Sequence, residues 1–112
     1  MKRGEVWWAE LPEPTTSEPG FRRPVLILQA YQFNRSHINT VVVAAITSNM
    51  KLATAPGNVS LSRRSANLGR ESVVNISQII TLDKSFLRER VGKLQDPKLR
   101  EVEEGVRLVL AL

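Results

Sequence analysis

Thr40-Val41-Val42-Val43-Ala44-Ala45-Ile46-Thr47-Ser48-Asn49 is the stretch on which the fold turns. From Thr40 to Ile46 it is short, mostly β-branched and almost wholly apolar, the composition of a strand buried in a sheet. It then stops abruptly in three small hydrogen-bonding side chains. Strand ends are where a rigid scaffold presents functional groups. The bland reading of Thr47-Ser48-Asn49 is a turn, because these residues bond their own backbone. Upstream, Pro24 to Leu28 is a second buried-strand run. Gly4 to Leu11 mixes Val6, Trp7, Trp8 and Leu11 with Glu5 and Glu10, a strand covered on one side that ends at the Pro12 to Pro14 turn signals. Downstream, Asn58 to Leu61 and Ser72 to Leu82 read as strands, the latter long enough to bend around a corner.

Pro12 to Arg23 carries Pro, Thr, Ser and Gly without apolar periodicity, a loop of a length that is usually either functional or disordered. Asp83 is placed to cap a short helix over Lys84 to Leu87. Asp96 reads as the N-cap of a longer helix, with Pro97 at its first position and an inward stripe of Leu99, Val102, Val106 and Val109. Glu103 and Arg107 are spaced as an i,i+4 pair on the wet face. About five strands and one C-terminal amphipathic helix predict a mainly β fold, a small, strongly bent antiparallel sheet or partly open barrel.

The 112 residues leave room for one domain, 1–112, and their 42% hydrophobic and 24% charged content is ordinary globular composition. Cysteine is absent and His37 is the single histidine, which excludes a disulfide framework, a thiolate nucleophile, a zinc ribbon and a two-histidine acid/base pair within the chain. No metal or cofactor is expected. No apolar run approaches the roughly 18 to 20 residues of a membrane span, so the expected compartment is the cytoplasm.

The net charge of +5 is unevenly distributed. Residues 1–34 and 71–112 each cancel to zero, and the whole excess comes from Arg35, Lys51, Arg63, Arg64 and Arg70, which face no acidic residue between 35 and 70. A polyanion is the natural partner of such a stretch, with a solubilising surface as the alternative. Gly20-Phe21-Arg22-Arg23-Pro24 adds two guanidinium groups where a loop enters a buried strand. Arginine's fixed fork of donors matches phosphate oxygens and stays charged at any working pH. A surface pair bonded to Glu18 is the other reading. Trp7 and Trp8 alternate across a strand, so at least one belongs to the core. Glu103-Glu104 reads as a solvated helix face and His37 as a loop side chain.

Taken in order, these segments resemble the MazF/PemK-like toxin family, the endoribonuclease halves of toxin-antitoxin pairs. The matching pieces are Arg3 to Leu11, Ser17-Glu18, Arg23-Pro24-Val25-Leu26-Ile27, Val43 to Ser48, Glu71-Ser72-Val73, Gln78-Ile79 and Thr81 to Lys84. The resemblance implies an SH3-like or CcdB-type barrel, a homodimer, a cognate acidic antitoxin and sequence-selective, metal-independent cleavage of single-stranded RNA. It maps the family's catalytic pair onto Arg23 and Thr47, and associates Glu18 and Gln78 with the RNA site. Pro19 follows Glu18 where many members carry Gln, so the cleaved sequence is not inherited from relatives. Around this pair, Arg22 and Lys51 are candidates for phosphate contacts, Phe21 for base stacking with core packing as the alternative, and Ser48, Asn49, Ser72 and Gln78 for base edges. The competing classes are a CcdB-like gyrase poison, disfavoured because the sequence closes on Val109-Leu110-Ala111-Leu112 rather than on a Trp, and a non-catalytic SH3-like RNA-binding module.

Overall fold

The computed structural model describes residues 1–11 and 21–112. The strands are β1 (Glu5–Leu11), β2 (Phe21–Ile27), β3 (Thr40–Thr47), β4 (Val59–Leu61), β5 (Ser72–Asp83) and β6 (Leu87–Lys93). A one-turn helix α1 (Tyr31–Asn34) joins β2 to β3, and α2 (Asp96–Leu110) closes the chain's fold. Short 3₁₀ turns lie at Met50–Thr54, Ser65–Asn67 and Lys84–Phe86. The strands form one antiparallel sheet in the order β4-β5-β3-β2-β1-β6, curled into a half-barrel.

Both faces of the sheet are buried, and alternation along each strand sorts its side chains between them. On one face Val6, Leu26, Ala44, Ile46, Val74 and Ile76 pack with Leu94 and with Val102 of α2. On the other, Ala9, Val25, Ile27, Val41, Val43 and Leu82 form a second cluster, with Trp7, Phe86 and Leu87 against it. Coverage on both sides explains why β2 and β3 read as continuous apolar runs.

The corner expected in β5 is a bulge. Ala44 lies opposite Ile79 and Ala45 opposite Asn75, so Ile76, Ser77 and Gln78 are extra residues on β5. Asn58 secures the break: its Oδ1 accepts from the Ile76 N–H at 2.9 Å, while its Nδ2 donates to the Leu52 carbonyl at 2.9 Å. At the N-terminus, the Gly4 N–H donates to the Ile27 carbonyl at 2.8 Å and its carbonyl accepts from Leu94 N–H at 2.9 Å, with φ at +92°. Only a residue free to adopt that backbone conformation makes both bonds without strain. Glu5 beside it accepts from the Lys2 N–H at 2.9 Å and from Trp7 Nε1 at 3.0 Å, and pairs with Arg90 at 3.1 Å. Burial pushes its carboxyl upward, but these donors outweigh burial and hold it below the usual glutamate range.

Four expectations are corrected. A sixth strand, β6, occupies the sheet edge; its Arg88, Glu89 and Arg90 break the apolar alternation and point to solvent, as befits an edge. The N-cap of α2 is Gln95, with Asp96 inside the first turn, where its charge still complements the helix dipole. Glu103 pairs with Arg3 and not with Arg107, which instead pairs with Glu104 at 2.7 Å. Val109 lies at the exposed end of α2, 42% accessible, whereas Val102 is fully buried and Leu99 and Val106 are partly so. Asp83 does cap the turn after β5, accepting from Ser85 N–H at 2.8 Å. Among the described residues no helix is long and apolar enough to cross a membrane.

Candidate nucleic-acid interface

The site is built where β2 begins and β3 ends. Their ladder pairs Val25 with Ala45, Leu26 with Ala44 and Ile27 with Val43. The ladder ends at Val25 and Ala45, two residues short of Arg23 on β2 and of Thr47 on β3. By alternation, Arg23 shares the face of Val25 and Ile27, and Thr47 that of Val43 and Ala45. Ala9 on β1 lies opposite Arg23, and Val73 on β5 lies opposite Thr47. The two residues singled out for chemistry thus fall on one sheet face at the open end of the β2–β3 pair.

Arg23 is half-buried, and its Nε is shut away from solvent with no hydrogen-bond acceptor among the described residues. A buried charged donor left unpaired is costly, and such atoms are rare in folded proteins. An anion's oxygen would complete it. Thr47 Oγ1 accepts from the Asn49 N–H at 3.1 Å, and Asn49 Oδ1 accepts from the Lys51 N–H at 3.1 Å. The turn is therefore present, and it orients the Thr47 hydroxyl with its proton still to give.

Arg22 on β2 and Ser48, just past the end of β3, face the other way. With Trp8, Arg70 and Ser72 they line a groove of about 350 Å³ whose lining also includes Pro24, Ile46 and Leu68. The Arg22 guanidinium lies 4.8 Å from the centre of the Trp8 ring. Glu10, opposite Arg22 in the ladder, is held by Arg88 at 3.1 Å. Ser72 is buried and its Oγ donates to the Arg70 carbonyl at 3.1 Å.

The remaining candidates are more dispersed. Asn49 caps the 3₁₀ turn that carries exposed Lys51, and neither lines the groove. Gln78 sits half-buried in the β5 bulge. Phe21 opens β2 opposite Leu11, but its ring is outside the described side chains, and Glu18 lies outside the described residues altogether. His37 is an exposed loop residue. Two groove residues escaped the sequence reading. Arg70 was visible as part of the acid-free stretch, and Trp8 as one half of an alternating pair, but no local motif joins them.

A curled antiparallel half-barrel with guanidinium groups gathered at one sheet end defines a small β protein equipped to receive an anionic polymer. The family described as PemK-like, MazF-like toxin of type II toxin-antitoxin system matches residues 2–110, and the chain belongs to it. It is 46% identical over 112 residues to Endoribonuclease MazF6 of Mycobacterium tuberculosis, covering all of this chain and 98% of that one. MazF from Deinococcus radiodurans superposes with a TM-score of 0.83 at 25% identity, over 100% of this chain and 97% of the other. A mycobacterial endoribonuclease in complex with its cognate antitoxin superposes with a TM-score of 0.82 at 23% identity, over 100% and 96%.

Proposed function

We propose that residues 1–112 form a single-domain endoribonuclease toxin that cleaves single-stranded RNA at Arg23 and Thr47 without a metal ion and is silenced by an acidic antitoxin. The observation that carries this reading is the buried Nε of Arg23, which has no acceptor among the described residues, on the sheet face that also holds Thr47. RNA brings its own nucleophile: the 2′-oxygen bonds to phosphorus and the bond to the 5′-oxygen breaks. The protein has to align the strand, neutralise the charge added to the phosphorane and manage two protons. Arg23 supplies charge-assisted donors to the non-bridging oxygens, and Thr47 orients the phosphate. An arginine, with a pKa above about 12, is a poor base at neutral pH, so Arg23 acts electrostatically and as a donor to the departing oxygen. Glu18 is the candidate base.

An acidic antitoxin segment competes for the same cations, and the +5 charge makes such mimicry effective. RNA as substrate places the work in the cytoplasm. A second copy completes the assembly as a homodimer, a role supported by the exposed Leu108, Leu110 and Leu112 at the end of α2.

The test is incubation of the purified protein with long mixed-sequence RNA in EDTA, followed by mapping of the new ends. Defined cuts are expected, lost by roughly 10²- to 10³-fold in Arg23→Ala and strongly reduced in Thr47→Ala. Undiminished cutting by either variant removes the site assignment, and cutting that stops in EDTA removes the metal-free mechanism. Salt-sensitive binding with no product leaves a non-catalytic RNA-binding module.

A further inference from the structure

Adjacent residues of β2 face opposite sides of the sheet, so the groove holding Arg22 is a separate surface from the one holding Arg23. It is unlike a bare phosphate site. Its lining includes apolar Pro24, Ile46 and Leu68, an indole with a guanidinium laid over it, and the hydroxyl-bearing Ser48 and buried Ser72. Flat aromatic and guanidinium surfaces stack unpaired bases, and small hydroxyls read base edges. At about 350 Å³ the groove lies near the lower end of the range for small-molecule sites, about 300–1,000 Å³, the scale of one nucleotide. Exposed Arg70 has no carboxylate partner among the described residues and is available to the sugar-phosphate backbone.

We infer that this groove is a base-reading subsite for one unpaired nucleotide flanking the scissile step, with the Trp8–Arg22 stack as its platform and Arg70 as its backbone clamp. The inference rests on the endoribonuclease reading above. The RNA is cut on the face of Arg23 and read on the face of Arg22. Thr47 and Ser48 repeat the division, since Ser48 lines the groove with Arg22.

Two measurements test it. In the first, the wild-type protein is irradiated with a 2′-O-methylated mixed-sequence oligonucleotide carrying 5-bromouracil, which has no free 2′-hydroxyl and is not cut. The expected crosslink maps to Trp8. In the second, Arg70→Ala is assayed on RNA. KM is expected to rise roughly tenfold for all cleaved sequences alike, the scale of one lost contact to the strand, while kcat stays within about twofold. Crosslinks that form only elsewhere, or an Arg70→Ala enzyme with unchanged KM, overturn the subsite while leaving the nuclease intact. Wild-type protein that neither cuts RNA nor crosslinks to the oligonucleotide overturns both.

Discussion

Glu5 is one carboxylate at which burial and three donors oppose each other, and the donors prevail. Its native pKa lies below that of the unfolded chain, so the unfolded state takes the proton first. The stability it contributes is complete above the ordinary glutamate value and is lost as pH falls through the native one. Melting temperatures followed from pH 7 to pH 3 should show Glu5→Gln less stable at neutrality and flatter in acid than wild type. Parallel curves would remove the role. At the same scale, Arg22-Arg23 and Thr47-Ser48-Asn49 stood out in the sequence as polar groups at the ends of apolar runs, and the choice of Arg23 and Thr47 among them came from the family resemblance. Trp8 and Arg70 did not stand out, because they are 62 positions apart in number and meet only when β1 and the segment before β5 converge on one groove. Nothing local to either residue encodes that meeting.

Among the elements, α2 shows how closely packing fixes a position. A Cβ built on Gly105 would stand 2.1 Å from the Gly57 carbonyl oxygen, so helix and loop touch backbone to backbone. Gly105→Ala gains up to about 1 kcal/mol of helix propensity. The clash should cost more, roughly 1–3 kcal/mol or beyond, because neither backbone can yield. The expected result is a net fall in melting temperature of several degrees, and an unchanged or raised value would mean the helix shifts freely. The helix itself was readable from its apolar stripe and Pro97, although its cap lies one residue earlier and its last apolar residues are exposed. Strand β6 was not readable, since an edge strand with Arg88, Glu89 and Arg90 in solvent has no alternation to detect. The β5 bulge was legible as length but not as position, because Asn58, the residue that stabilises it, comes from another strand's approach.

For the whole molecule, charge bookkeeping along the chain survives in space. The ion pairs among the described residues join Arg3 to Glu103, Arg88 to Glu10, Arg90 to Glu5, Lys98 to Glu101 and Arg107 to Glu104. Each draws on the two neutral end segments, and none recruits a cation from residues 35–70. Among the described residues that charge has no carboxylate partner, in keeping with the polyanion expected from the sequence. The alternation of β2 adds a constraint of a different kind. A strand that follows the proposed path, touching both Arg22 and Arg23, has to bend from one face of the sheet to the other. Double-stranded DNA keeps its direction over about 50 nm, and base-paired strands in general resist such a bend. Annealing a cleavable RNA to its complement should protect it from the protein, with digestion on a denaturing gel as the readout. Efficient cutting of the annealed strand would sink this path for the substrate. Selectivity for unpaired strands is then a matter of flexural rigidity, exercised before any letter of the message is inspected.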